Sequence, residues 1–139
     1  MLLSLAVRDI LLIERAELDF RPGLNVLTGE TGAGKSILLD ALGFVLGWRG
    51  RSDLVRPGAA QGEVAAEFRL GPAHPARAAL AEAGLEVEGD ALILRRTVAA
   101  DGRRQAYAND RRVAAETLRA LSERLVELHG QQDDRGLLD

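Results

Sequence analysis

Gly29-Glu30-Thr31-Gly32-Ala33-Gly34-Lys35-Ser36 is a complete GxxxxGK[ST] phosphate-binding loop. Of the 18 Lys+Arg residues, Lys35 is the one lysine, and every other cation is arginine. Lysine stands where a compact ammonium on a flexible stem must reach the oxygens of a nucleotide. Gly29, Gly32 and Gly34 let consecutive N–H groups turn inward as an anion nest, and the positive end of the following helix adds to that attraction. Lys35 is the candidate catalytic cation on the β- and γ-phosphates of ATP, and the Ser36 hydroxyl is a candidate Mg²⁺ ligand. Glu30, Thr31, Ala33 and Ile37 complete the candidate nucleotide-contacting set, Glu30 and Thr31 at positions that chiefly shape the loop. The competing reading is a glycine-rich turn with an incidental lysine, and the flanking sequence argues against it.

Residues 24–27, Leu-Asn-Val-Leu, form an apolar run after the turn Arg21-Pro22-Gly23 and read as a buried strand. Residues 36–46 are apolar on nearly every face, which predicts a buried helix. Strand, glycine loop and helix follow in the order the motif requires. Around them, residues 1–7 and 16–20 read as strands, 48–60 as an exposed Gly/Arg-rich loop and 63–70 as a strand. Residues 73–83 read as a short helix ended by Gly84. Residues 91–98, 104–108 and 111–113 form a β-meander that turns at Asp101-Gly102 and Asn109-Asp110. Residues 114–125 are helical, with Leu118, Leu121 and Leu125 on one face. Val126-Glu127-Leu128 and a polar loop over 129–136 follow. The fold class is α/β, a P-loop NTPase with a mixed sheet and a β-meander.

With 139 residues, 47% of them hydrophobic, the chain is one domain's worth of sequence. A net charge of −3 argues against a basic nucleic-acid glove, so any such contact must be local. There is no cysteine, which points to a reducing cytosol. Residues 1–7 are cut short by Arg8-Asp9 and lack a basic n-region, so they read as a strand and not a signal peptide. No apolar run approaches membrane-spanning length, and no membrane partner is expected.

A P-loop ATPase needs a second strand ending in an aspartate, often followed by a glutamate that activates water. No run of four apolar residues here ends in Asp-Glu, and there is no LSGG-type segment. The sequence reads as the first half of an ATPase head.

Four stretches carry a resemblance: Leu5-Ala6-Val7-Arg8-Asp9-Ile10; the loop with its flanks over 24–42; Arg51-Ser52-Asp53-Leu54-Val55-Arg56-Pro57-Gly58; and Leu128-His129-Gly130-Gln131. Together they resemble the RecN family of bacterial DNA-repair proteins, in the SMC-like branch of ABC-type ATPases, over essentially all of 1–139. The resemblance implies an N-terminal half-head, from Walker A to Q-loop, completed by a coiled coil and a C-terminal half carrying the signature motif and acidic residues. It implies ATP sandwiched between the heads of a homodimer, DNA as a partner, and a cytoplasmic, nucleoid-associated setting. Hydrolysis of ATP in double-strand break repair follows from it. Two alternatives remain: an ATP-dependent dimerisation and DNA-tethering module with little turnover, and a small P-loop nucleotide kinase, which would need an arginine-bearing lid.

The same resemblance makes residues 129–131 the Q-loop. Gln131 is the candidate catalytic amide and Mg²⁺ ligand, since a neutral amide oxygen suits a hard cation better than imidazole. His129 is the other candidate, or a helix-end or turn histidine. The Arg-Arg pairs at 95/96, 103/104 and 111/112 read either as a strip facing DNA phosphates or as solvated strand faces paired with Asp and Glu. Adjacent strand residues face opposite sides, so each pair offers one arginine per face. Trp48 reads as a loop anchor, and His74, between Pro72 and Pro75, as a surface-loop residue without a partner.

Overall fold

The computed structural model describes residues 2–19, 32–47, 54–85, 87 and 89–130. Six strands form one sheet in the order β2-β1-β3-β4-β5-β6: β1 (Leu2–Ile10), β2 (Ile13–Asp19), β3 (Gln61–Arg69), β4 (Ala91–Ala99), β5 (Arg104–Ala108) and β6 (Arg111–Val113). Every pairing among them is antiparallel. The apolar run at 24–27 and the turn before it lie outside the described residues. Three helices accompany the sheet: α1 (Gly32–Val45), α2 (Pro75–Glu82) and α3 (Ala115–Gly130).

Alternation decides which face is buried. Leu5, Val7, Val64, Ala66, Phe68, Leu92, Leu94, Val98, Ala106 and Ala108 are buried, and the registers Leu5↔Ala66↔Leu94↔Ala108 and Val7↔Val64 put them on one face. α1 packs on that face across β1, β3 and β4 with Ala41, Leu42, Phe44 and Val45, while α2 packs against α3. Each such large side chain taken fully out of water stabilises the fold by about 1.5–3 kcal/mol.

The meander turns fall where the sequence places them. Gly102 has φ 96°, and Asn109 and Asp110 have φ 48° and 69°, the paired positive values of a type I′ hairpin turn. The Asn109 side chain secures its turn by accepting from Ile93 N at 2.8 Å and donating to Ala91 O at 3.3 Å.

Several expectations are corrected. α1 begins at Gly32, not at 36, because glycine takes helical angles as readily as left-handed ones. Nor is it buried all round: Leu39 is 51% exposed, since the sheet covers only one side. β1 runs through Arg8-Asp9 to Ile10, because the following hairpin pairs Arg8 with Arg15 and Ile10 with Ile13. The stretch after α1 is not simply an exposed loop. Leu54 is buried, Val55 bridges Ile10, and Leu11 N donates to Leu54 O at 2.7 Å. α3 continues to Gly130 where a polar loop was expected from 129, for no glycine or proline interrupts residues 115–129 and Leu128 extends the spacing of Leu118, Leu121 and Leu125. His74 is not a bare loop residue: its Nδ1 caps α2 by accepting from Ala76 N at 3.0 Å. Trp48 lies outside the described residues.

Candidate nucleotide-binding site

α1 presents two unlike ends. Its first four N–H groups, on Gly32, Ala33, Gly34 and Lys35, have no acceptor within the helix, and its first turn contains no acid to satisfy the positive end of the dipole. The phosphate-loop sequence therefore enters α1 directly, with Lys35 and Ser36 in the first two turns. Peptide N–H groups, a glycine run and an acid-free turn fit a polyphosphate. Gly29, Glu30, Thr31 and Gln131, together with the side chains of residues 32–38 and 126–130, lie outside the described residues. The backbone does fix one relation: α3 carries His129 and Gly130 as its last residues and ends immediately before Gln131.

The other end of α1 is fastened. Leu46 N donates to Leu42 O at 3.1 Å, and Gly47 N to Phe44 O at 3.0 Å, closing the helix through Gly47 at φ 80°. Arg96 of β4 donates from its guanidinium to Phe44 O at 2.8 Å and lies over the Phe44 ring at 4.7 Å. This is a cation at the negative end of a helix dipole, joined to a cation–π contact. The buried Ser122 hydroxyl of α3 donates to Leu46 O. Burial lowers the Arg96 pKa from its ordinary value, and repulsion from Arg104 and then Arg119 lowers it further. A guanidinium nonetheless keeps its charge.

The segment after α1 is tied to the β1–β2 turn. Arg56 N donates to Asp9 O at 2.8 Å, and its guanidinium stands 3.9 Å from Asp9 and 3.8 Å from Glu14. Asp9 and Leu11 hold positive φ of 53° and 54°, unfavourable for non-glycine residues, and Leu12 is 82% exposed at the tip. Gly62 allows this approach: a Cβ there would lie 2.7 Å from Asp9 O.

The arginine pairs divide by face as strand geometry requires. Arg95 lies 3.1 Å from Glu63 and 4.0 Å from the Tyr107 ring, whereas Arg96 turns to Phe44. Arg103 pairs with Asp101 at 2.9 Å in the β4–β5 turn. The expected pairing with acids thus holds for Arg95 and Arg103 and not for Arg96. The sequence reading gave no structural role to Ser122 or Arg56, and took Arg96 only as a member of a pair facing DNA phosphates or solvent. Arg96 was detectable only as the inward member of its pair.

No helix among the described residues is long and apolar enough to cross a membrane. The family described as an AAA domain matches residues 4–132, and the chain belongs to it. Its fold is that of an SMC-type ATPase head. It superposes with a TM-score of 0.67 and 25% identity, over 88% of this chain and 78% of the other, on a structure titled for ATP-driven dimerization and DNA stimulated activation of SMC ATPases. Within the family the chain is similar to DNA repair protein RecN: 44% identical over 99% of its length to that of Xylella fastidiosa (strain 9a5c), and 37% identical over 100% to that of Bacillus subtilis (strain 168). It spans about a quarter of these relatives, 25% and 24% of their lengths. The RecN resemblance read from the sequence is borne out.

Proposed function

We propose that this chain is the N-terminal half of the ATP-binding head of a RecN-type DNA-repair ATPase, with the phosphate grip at the start of α1. The observation carrying this reading is the placement of Gly32-Ala33-Gly34-Lys35-Ser36 at an acid-free helix N-terminus whose far end is fastened to the sheet and to α3. ATP bound there supplies a polyphosphate and its Mg²⁺. The N–H groups from Gly29 to Ser36 hold the phosphates, Lys35 neutralises the β- and γ-oxygens, and Ser36 and Gln131 offer oxygens to the metal. The glutamate that directs water would come from the C-terminal half, and a partner head would close over the nucleotide in a homodimer that acts on DNA in the cytoplasm.

The test uses the full-length protein. Lys35→Ala should weaken ATP binding by about 10²–10⁴-fold, the loss of one or two charge-assisted phosphate contacts. Undiminished ATP affinity and turnover would sink the proposal. The ATP-driven dimerization named for the SMC relative favours a second reading, in which ATP serves chiefly to join heads. Dimers that persist equally with ATP and with a non-hydrolysable analogue would favour that tethering role. Dimers that dissolve as ATP is consumed would favour the hydrolytic cycle.

A further inference from the structure

A cavity of about 460 Å³ opens between β4–β6 and the start of α3, and its lining includes Arg96, Arg104, Arg112, Ala114, Ala115 and Leu118. Three guanidinium-bearing residues meet in one concavity of a chain whose net charge is −3. Arg96 and Arg104 flank the same ring, 4.7 and 5.7 Å from the Phe44 centroid, which holds two like charges close together. Arg119, one turn into α3, adds a third charge that repels Arg96. Among the described residues no carboxylate pairs with Arg96, Arg112 or Arg119, whereas Arg15, Arg56, Arg95 and Arg103 each have one. Asp110, two residues before Arg112, and Glu116, next to Ala115, are both exposed, and neither is part of the lining. Leu118 N donates to Ala114 O, which makes Ala114 the residue at the cap of α3, and its methyl group offers no oxygen to the helix's first N–H groups.

We propose that this cavity is a second anion site that takes the phosphate of a phosphate ester or free phosphate. Guanidinium forks match phosphate oxygens two by two, and the volume admits a phosphate together with part of an attached sugar. The site is not the nucleotide loop seen from another side. Arg96 grips Phe44, twelve residues beyond Gly32, and at 1.5 Å per residue this is about 18 Å along α1 from the phosphate loop. The inference therefore stands whether or not the loop binds ATP. Two sources share the chemistry: the backbone of a DNA strand, and free phosphate.

The experiment uses full-length protein carrying Lys35→Ala, so that the loop does not compete. Arg104→Gln/Arg112→Gln is compared with the charge-matched Arg15→Gln/Arg103→Gln, which removes two exposed arginines elsewhere. The probes are a labelled DNA duplex and, at matched ionic strength, 10 mM inorganic phosphate against chloride in thermal unfolding. With DNA as the source, the cavity variant should bind the duplex about tenfold more weakly, with a salt slope lower by about 1–2, and the control should change less than twofold. With free phosphate as the source, phosphate should raise the unfolding temperature of the control and not of the cavity variant. The proposal is overturned if the cavity variant and control respond alike to both probes, as they would if a carboxylate from elsewhere in the full-length protein filled the cavity.

Discussion

The two ends of α1 are built on opposite principles. At the C-terminal end, the carbonyls of Phe44 and Leu46 are met by Arg96 from the sheet and Ser122 from α3. At the N-terminal end the first turn holds no acid, and its first peptide N–H groups have no acceptor within the helix. On the proposed function, the contrast would separate stability from binding along a single helix. Among the described residues, the side-chain interactions that anchor α1 are concentrated at its C-terminal end. On the proposed function, a phosphate would supply at the open end what Arg96 and Ser122 supply at the closed end.

The largest effect expected is at the open end. Lys35→Ala should leave the unfolding free energy of the full-length protein without nucleotide within about 0.5 kcal/mol of the parent, because a loop lysine awaiting phosphate stabilises little in its absence. The same variant should lose the ATP-induced rise in unfolding temperature. Calorimetry with and without ATP reads both quantities. A large destabilisation without ATP would break the comparison by showing that the open end also holds the fold.

The closed end should respond in the opposite sense. Arg96→Met keeps much of the side-chain stem and removes a charged hydrogen bond to Phe44 O, worth about 1.5–3 kcal/mol, together with the ring contact. It should lower stability by about 2–3 kcal/mol while leaving the intrinsic affinity of the folded protein for ATP within a few-fold. Ser122→Ala is the smaller version. It leaves the Leu46 carbonyl without its side-chain donor in a buried place and should cost about 1–2 kcal/mol in denaturant unfolding. If either variant abolished ATP binding under conditions where it remained folded, the two ends would be coupled and not divided.

This division also explains what the sequence disclosed. The phosphate loop was legible because its chemistry demands fixed residue types at fixed spacing, all within eight consecutive residues. The meander was legible because Asp101-Gly102 and Asn109-Asp110 mark local turns, and β5 and β6 begin and end where alternation puts them. The anchors were not. Arg96 meets Phe44 across 52 positions and Ser122 meets Leu46 across 76, and no local pattern announces either pairing. Arg96 read only as one member of a pair facing DNA phosphates or solvent, because only the register Arg96↔Ala106, on the face that buries α1, gives it something to hold. Leu54 and Val55 were likewise read as loop, since their partners Leu11 and Ile10 lie more than forty residues earlier. The start of α1 slipped for a local reason: glycine permits both the turn that was expected and the helix that forms.

The smallest effect lies in the exposed turn between β4 and β5, and it sets the background against which the two ends are measured. Asp101 accepts from Arg103 N at 3.0 Å and pairs with the Arg103 guanidinium at 2.9 Å, and the backbone hydrogen bond is the main reason its carboxyl titrates below the usual range. Its folded pKa is depressed relative to the unfolded chain. The contribution is therefore present above the unfolded value of about 4 and is lost as pH falls through the folded value. Asp101→Asn keeps an oxygen for Arg103 N but cannot ionise. The stability gap between parent and variant should be small at pH 7 and close as the pH drops below about 4. Because the carboxylate is exposed, added salt should shrink the gap at pH 7 too. An NMR titration placing the Asp101 carboxyl at or above the ordinary aspartate value would show that the turn is held by its backbone alone.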